Sequence, residues 1–436
     1  MKRMFVNEHP VRPGSLGSHY GFARNPYDPS PLEGDDEDSG LFVGRGREGE
    51  LFRTFLESFD RGGILVEGGI GVGKTSFVNV QEFRAGGSKT PSILSPRQPI
   101  QLATALHPVE FLLSVTSNVL SALRTVDRGV PRDPSFRKLS LAVTQTIQRS
   151  RGWEVYAAGF GGGVSSETNV SNPLVVLLPV VSEQLDEAAR LASRYGVEKI
   201  VVNVNNLDVV DPHALVSFLD ATRDLTLTRA PYLWVFLGPA GSRALIAQRT
   251  RRVSELLRSD PIWIPPLSLD EVRQAVLARV KRFRSTATNR PPVQDEVLRV
   301  LYESSSGEIR YILNRCTDLL LRTMVEFPTT TEISEELARP MLERMTLEAI
   351  DRLNLTSKQR ALLETIARSG PVQPREFRRF GFSNAPAFLR YLTRFYELGL
   401  VDRRRRADIV AYTPRGDVVL ALGRGSVKPG VHSRPT

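Results

Sequence analysis

Cysteine is nearly absent from this chain, and its absence excludes two kinds of site. Cys316 is the only cysteine among 436 residues, so the chain can form no internal disulfide and no cysteine-based zinc site. The residue lies in an apolar helical pattern. That setting favours a buried structural thiol over a nucleophile.

The chain also lacks a long hydrophobic run. A membrane-spanning helix needs roughly 20 apolar residues, whereas the apolar stretch from Pro173 to Val181 is much shorter and contains two prolines. The N-terminus has no apolar core of the kind that marks a secretion signal. We therefore expect a cytoplasmic protein with no membrane partner.

Basic charge is unevenly distributed. The length predicts two to four domains, and contents of 41% hydrophobic and 24% charged residues are typical of a soluble globular protein. Residues 352–436 contain 17 Lys and Arg against 6 Asp and Glu, a net charge of +11, while the preceding residues carry 41 and 42, a net charge of −1. This asymmetry indicates a nucleic-acid-binding module attached to a neutral body, or else a basic surface that is merely solvated.

One motif carries strong chemical information. An apolar run, Ile64 to Val66, is followed by Gly-Gly-Ile-Gly-Val-Gly-Lys-Thr, a strand, turn and helix start that would aim backbone N–H groups at phosphates. Lys74 would reach the β- and γ-phosphates, and the Thr75 hydroxyl would ligate Mg²⁺. The predicted ATP-binding residues here are Gly68, Gly69, Ile70, Gly71, Val72, Gly73, Lys74, Thr75 and Ser76.

The strand expected to supply catalytic acids ends in amides instead. Hydrolysis needs one carboxylate for the Mg²⁺ shell and another to polarise water, but the strand over residues 199–204 is followed by Asn205 and Asn206. An amide cannot act as a general base. Asp208 could substitute if the strand end bends toward the γ-phosphate, so we predict tight ATP binding with slow or absent hydrolysis.

Composition and helical spacing suggest five segments. They are a flexible N-terminal segment (1–40), a P-loop domain (41–264) with an insertion around 130–180, a helical domain (265–350), a winged helix (351–423) and a flexible tail (424–436). Capping boxes are predicted at Ser268 with Glu271 and at Thr356 with Gln359. The glycine-rich stretch 159–163 reads as a loop, which could contact DNA or a partner or simply lie on the surface.

These motifs together resemble AAA+ ATPases of the origin-recognition and archaeal replication-initiator type, over roughly residues 41–422. Phe42-Val43-Gly44-Arg45 resembles the segment near the nucleotide base, and the phosphate loop resembles the Walker A motif. Ser306 to Arg310 resembles the sensor-2 motif, which implies that Arg310 reaches the γ-phosphate. The resemblance implies an α/β fold: a P-loop parallel sheet, then an all-α lid, then a C-terminal winged helix-turn-helix.

The resemblance also implies an arginine finger near Arg252, which would contact nucleotide held by another subunit; Arg249, Arg251 and Arg258 crowd the same stretch. Two departures weaken the case for catalysis. The second-strand acids are amides, and no polar sensor-1 residue is evident in Gly238-Pro239-Ala240. The pathway stays open among a replication initiator, a signalling or defence ATPase that recruits a separate effector, and a transposition regulator.

Basic residues follow the winged-helix pattern. Leu389, Leu392, Phe395 and Leu398 are predicted to face the core, which turns Arg390 and Arg394 outward with Tyr391 nearby for the major groove of double-stranded DNA. Arg403, Arg404, Arg405 and Arg406 are predicted at the tip of the wing, where they suit phosphate or minor-groove contact. The alternative is a winged helix that binds protein. Because an arginine finger contacts ATP held by another subunit, the sequence also predicts a homo-oligomer.

Overall fold

The computed structural model describes residues 16–86, 92–102, 107–159, 173–207, 210–258, 260–285, 290–305, 307–406 and 409–423. Its chain forms two compact units. One runs from Pro31 to Pro265, and the other combines the residues up to Ser30 with those from Pro266 onward. The chain thus passes between the units twice, from Ser30 to Pro31 and from Pro265 to Pro266.

The N-terminal segment is packed where it is described, contrary to the expected flexibility of residues 1–40. Helix α1 (Leu16–Tyr20) leads into a stretch of turns and bends in which Phe22 and Tyr27 are fully buried. Helix α2 (Asp36–Ser39) follows, with Asp35 as its N-cap. Aromatic side chains in a segment rich in proline and glycine explain the error, because they bury enough apolar surface to offset the ordering of the chain.

A parallel sheet forms the centre of the first unit. Its order is β2–β4–β5–β1–β6, with the short β3 also paired to β4. The strands are β1 (Gly62–Gly68), β2 (Ile93–Leu94), β3 (Ile100–Gln101), β4 (Lys199–Asn205), β5 (Tyr232–Gly238) and β6 (Ile262–Ile264). Both faces of β1 and β5 are buried, as their near-continuous apolar sequences predict.

Helices cover the two faces of this sheet. They are α3 (Gly46–Ser58), α4 (Lys74–Ala85), α5 (Pro108–Val126), α6 (Pro134–Gly159), α7 (Pro173–Arg194), α8 (Pro212–Thr222), α9 (Ser242–Arg249) and α10 (Arg251–Ser254). Side chains alternate along β4, so that Val201 packs with residues of α3 and α4, while Val202 packs with those of α5 and α7. The predicted insertion is a pair of long helices, α6 and α7, and residues 160–163 of its glycine-rich stretch lie outside the described residues.

The second unit is helical apart from one hairpin. Its helices after α1 are α11 (Leu269–Phe283), α12 (Asp295–Ser305), α13 (Ile309–Glu326), α14 (Glu335–Arg352), α15 (Ser357–Ser369), α16 (Ala385–Glu397) and α17 (Gly416–Leu422). Both predicted capping boxes are present, at the starts of α11 and α15. Strands β7 (Val401–Arg406) and β8 (Ile409–Pro414) pair antiparallel.

The residues from 357 onward have the element order of a winged helix. Helix α15, a 3₁₀ helix at Pro374–Phe380 and α16 precede the hairpin. One apolar cluster joins these elements to the hairpin, and it includes Leu363, Phe388, Phe395 and Tyr412. Phe388 takes the buried position predicted for Leu389, whose side chain is 38% exposed.

The N-terminal stretch is attached to the second unit by specific hydrogen bonds. The Tyr20 hydroxyl donates to the Leu320 carbonyl at 3.0 Å, and the Asn25 amide donates to the Thr317 hydroxyl at 2.9 Å. The backbone N–H of Val293 donates to the hydroxyl of buried Tyr27 at 3.3 Å. Residues 16–30 are therefore part of the folded helical unit.

Candidate nucleotide site

The phosphate loop connects β1 directly to α4, as predicted. Gly71 and Gly73 have φ angles of 73° and 91°, and Gly73 is the N-cap of the helix. These left-handed conformations favour glycine because it has no Cβ. The loop can therefore curl above the strand end without steric strain.

The helix begins with the three residues expected to hold phosphate and magnesium. Lys74, Thr75 and Ser76 form the first turn of α4, where backbone N–H groups have no intrahelical acceptor and the helix dipole favours an anion. The Lys74 ammonium donates to the carbonyls of Gly68 (3.0 Å) and Gly69 (2.8 Å). Its charge is thus held over the loop, where β- and γ-phosphates would bind. Ile70 projects outward and is 73% exposed.

Ser76 is engaged in a second way. Its hydroxyl accepts a hydrogen bond from the Leu32 backbone at 3.1 Å, and the Asn79 amide donates to the Leu32 carbonyl at 2.8 Å. The segment before α2 is therefore fastened along the phosphate-loop helix.

Arg45 supports the loop from beneath. Its guanidinium donates to the carbonyls of Val72 and Pro265, and the side chain is 8% exposed. Val43 is half-buried two residues earlier. The predicted segment near the nucleotide thus includes one residue in direct contact with the phosphate loop.

The end of β4 lies at the same sheet edge as the loop. Strand β5 separates β4 from β1, and the pairing aligns Val204, Phe236 and Leu65. Two strand spacings place the backbone of Asn205 roughly 10 Å from that of β1. Asn205 is 5% exposed, and its Oδ1 atom has no hydrogen-bond partner among the described residues.

Asn206 turns away from the strand direction. It has a φ of 60°, and its amide donates to Gln101 Oε1 at 2.7 Å at the end of β3. The Asn206 side chain is thus already hydrogen-bonded to another amide. Asp208, the possible substitute acid, lies outside the described residues.

The side chains at this edge of the sheet could supply only part of the ligand shell of a magnesium ion. Mg²⁺ at phosphate sites is commonly bound by one or two protein oxygens together with phosphate oxygens and water. Thr75 offers a hydroxyl, and the buried Oδ1 of Asn205 can accept a hydrogen bond from a metal-bound water. Among the residues described, no group of three His, Cys, Asp or Glu side chains could hold a metal ion by itself.

A buried glutamate that the sequence analysis did not single out holds the turn that follows β5. Glu67, at the end of β1, accepts hydrogen bonds from the backbone N–H groups of Gly241 (3.0 Å) and Arg243. These groups lie at the start of α9, so the carboxylate caps that helix. The turn after β5, where a polar sensor-1 residue was expected, is thus fixed by a side chain at the end of β1, just before the phosphate loop. The signal was available, because a charged residue ends an otherwise apolar strand.

The structure separates the crowded arginines of the finger region. Arg258 packs over the Phe59 ring at 3.7 Å, and burial lowers its pKa. Arg251 pairs with Glu255 at 2.8 Å, and Arg249 lies 3.3 Å from His213.

Arg252 differs from these three arginines. It is exposed, and among the described residues its side chain has no recorded hydrogen bond or ion pair. The pKa of the Asp224 carboxyl is lowered mainly by its hydrogen bond with Arg223, and the charge of Arg252 makes the smallest contribution to that lowering.

Arg310 occupies the first turn of α13 and is exposed. Gly307, just before it, has a φ of 84°. Ser306 lies outside the described residues. The contact of Arg310 with nucleotide remains a prediction, because α13 belongs to the second unit.

The predicted groove-contact arginines project from one helix. Arg390 and Arg394 on α16 are exposed, whereas Phe388, Leu392 and Phe395 are buried. Arg394 also lies 3.7 Å from Glu397. Tyr391 is half-buried against Phe382, with ring centroids 5.1 Å apart, so only part of it is available for contact.

The hairpin of β7 and β8 differs from the layout predicted for a wing. Arg403 to Arg406 are the last four of the six residues of β7 and pair with β8, and Arg403 is exposed. The side chains of Arg404, Arg405 and Arg406 lie outside the described part. The 3₁₀ helix adds Arg375, Arg378 and Arg379, all exposed, which the sequence reasoning did not single out.

The chain is similar in structure to archaeal origin-recognition proteins. The Aeropyrum pernix ORC1 protein in complex with DNA matches 90% of this chain and 95% of its own, with 14% identity and a TM-score of 0.45. The Aeropyrum pernix ORC2 protein (ADPNP-ADP complexes) matches 92% of this chain and 96% of its own, with 11% identity and a TM-score of 0.47. Cdc6p from Pyrobaculum aerophilum matches 88% of this chain and 96% of its own, with 13% identity and a TM-score of 0.41.

The fold described above rests on the strand order of the sheet and on the position of the phosphate loop. No protein-family model and no curated protein matches the chain. In the described part of the chain, no helix is long and apolar enough to cross a bilayer.

Proposed function

We propose that this protein is an ATP-binding AAA+ switch that binds double-stranded DNA and self-associates in response to nucleotide, with weak or no hydrolysis. One observation carries the proposal. A complete phosphate loop, with Lys74 held over it, lies at the same sheet edge as the end of β4, where the strand ends in Asn205 and is followed by Asn206. Such a site has what binding requires, and the described residues 199–207 of this strand and its end include no carboxylate to act as the base that cleavage requires.

The geometry of Asn206 supports slow hydrolysis. Its side chain is directed to Gln101, and an amide cannot take a proton from water. Asn205 supplies an acceptor for the magnesium shell without a negative charge. ATP would therefore persist in the site and act as an assembly signal.

Arg252 is our candidate for contact with nucleotide in a neighbouring subunit. A guanidinium that enters a neighbour's site stabilises phosphate charge and makes subunit contact depend on nucleotide. Arg252→Ala should abolish ATP-dependent assembly and leave ATP affinity unchanged. Arg251→Ala is the matched control, because Arg251 is already paired with Glu255. Equal assembly by both variants would reject Arg252.

The DNA surface comprises Arg390 and Arg394 on α16 and the arginines of β7. Each phosphate contact contributes roughly 0.9 to the slope of log affinity against log salt concentration. Changing the four β7 arginines to glutamine should therefore flatten that slope, whereas Arg53→Gln, an exposed arginine of the first unit, should not. An unchanged slope in the variant with all four substitutions would show that the β7 arginines do not contact the DNA phosphates.

A duplex-DNA titration with no nucleotide, ADP and ATP, with particle size measured in parallel, tests the whole proposal. We expect ATP to tighten binding and enlarge the particle, and Lys74→Ala to lose both effects. An ATP-dependent oligomer with no affinity for duplex DNA would instead favour a signalling ATPase that recruits a separate effector. A single particle size under all conditions would contradict switching.

A further inference from the structure

A carboxyl group is buried between the phosphate-loop helix and β4. Glu82, in the last turns of α4, is 6% exposed. Asn203 Nδ2 donates to Glu82 Oε2 at 2.9 Å, and the Ser95 hydroxyl donates to the same oxygen. Three segments of the nucleotide-binding unit thus meet at one oxygen atom.

The second oxygen of Glu82 and the amide oxygen of Asn203 are left without partners among the described residues. Glu82 Oε1 and Asn203 Oδ1 are both buried, and neither has a hydrogen bond among the described residues. Both are acceptors if Glu82 is ionised, so neither can satisfy the other. A protonated carboxyl group adds the single O–H donor that this arrangement lacks.

An acid and an amide are complementary in shape as well as in donors. Each is planar and carries two polar atoms side by side. When the amide N–H on the side of the carbonyl donates to one carboxyl oxygen, the amide oxygen lies beside the other carboxyl oxygen. The bond from Asn203 Nδ2 to Glu82 Oε2 supplies one half of such a ring, and a bond between Glu82 Oε1 and Asn203 Oδ1, both without a partner among the described residues, would supply the other half.

We propose that Glu82 carries a proton and closes a doubly hydrogen-bonded acid–amide pair with Asn203, and that this pair positions β4 against the phosphate-loop helix. The functional part rests on the proposed nucleotide site, since α4 begins with Lys74 and Thr75. Asn203 lies two residues before Asn205 on the same face of β4. Glu82 is a positioning residue, because it lies two helical turns from the loop.

The electrostatic setting agrees with a neutral acid. Burial raises the pKa of Glu82 to about 7, against the opposing hydrogen bonds of Ser95 and Asn203. Among the described residues, no charged side chain contributes to this shift, so none of them supplies a cation that would hold Glu82 as a carboxylate.

Infrared difference spectroscopy of nucleotide-free protein tests the proton directly. We expect a protonated-carboxyl band at pH 6 that is missing in Glu82→Gln and fades as the pH rises through about 7. A spectrum at pH 6 in which Glu82→Gln removes no such band would overturn the proposal. This readout needs no ligand, so its failure is distinct from failure of the nucleotide proposal.

The positioning role is tested by rescue. Glutamine keeps both bonds, because its carbonyl accepts from Asn203 and its N–H₂ donates back. We expect Glu82→Gln to bind ATP with wild-type affinity at pH 6, and Asn203→Leu, which removes the partner, to bind on the order of tenfold more weakly. Equal losses in the two variants, or a loss in neither, would overturn the positioning role.

The pH dependence of folding stability tests the protonation of Glu82 independently, because the direction of the expected change is known. The folded-state pKa of Glu82 is raised, so its contribution is complete below the unfolded value of 4.5 and is lost as pH rises toward about 7. Glu82→Gln cannot ionise. The melting temperature of wild type should therefore fall relative to Glu82→Gln over this window and run parallel above it. Parallel curves throughout would overturn the proposal.

Discussion

Truncation of Glu67 should destabilise the nucleotide-binding unit. Its buried carboxylate accepts the N–H groups of Gly241 and Arg243, and Glu67→Ala would leave both without a partner. A buried unsatisfied N–H costs about 1–3 kcal/mol, and loss of an N-cap costs about 0.5–2 kcal/mol. These terms overlap, so we expect a total of about 2–4 kcal/mol. Glu67→Gln keeps one acceptor and should lose about half as much.

Tryptophan fluorescence isolates the unit in question. All three tryptophans, at positions 153, 234 and 263, belong to the unit from Pro31 to Pro265. A urea transition followed by their emission therefore reports this unit, whether or not the two units unfold in a single step. The midpoint should fall in the order wild type, Glu67→Gln, Glu67→Ala.

Glu57→Ala is the matched control. Glu57 is an exposed glutamate of the same unit, and its ion pair with Arg53 is worth at most about 1 kcal/mol. If Glu67→Ala shifted the transition no further than Glu57→Ala does, the capping role of Glu67 would be refuted. A change in slope without a change in midpoint would also contradict it.

Three other outcomes are expected. Wild-type protein should release phosphate from ATP slowly, and Asn206→Glu should raise the rate; robust hydrolysis by wild type that Lys74→Ala abolishes would show that the amides do not prevent cleavage. Tyr27→Ala should destabilise the helical unit by about 3–5 kcal/mol, and Tyr27→Phe by about 1 kcal/mol through loss of the bond from Val293, as measured by hydrogen exchange in α13. Cys316 is fully buried and burial raises its pKa, so thiol reagents should label it only on unfolding, whereas labelling of folded protein would contradict its burial.

Local patterns were sufficient for the elements that depend on neighbours in sequence. The phosphate loop needs glycine at particular φ angles next to a strand, and these requirements are written in consecutive residues. The capping boxes at Ser268 and Thr356 join residues only three apart, so both could be predicted. The outward direction of Arg390 and Arg394 followed from helical periodicity.

Errors arose where a side chain's setting depends on distant partners. Residues 16–40 resemble a flexible segment by composition, yet Phe22 and Tyr27 are buried, and Tyr27 is hydrogen-bonded to Val293 and Thr317, 266 and 290 positions later. The run from Arg403 to Arg406 was placed at a turn, although strand pairing extends to Arg406. Neither outcome is visible in a short window of sequence.

The amino-acid sequence by itself determined that this protein has a phosphate loop, amides after the second core strand and a basic C-terminal region. Only the tertiary structure decided which polar groups meet. It brought Glu67 to the start of α9, Asn206 to Gln101, and Glu82 to Asn203 across 121 positions. The physical reason is that buried polar atoms must find partners, and in a parallel sheet those partners come from strands and helices that are distant in sequence.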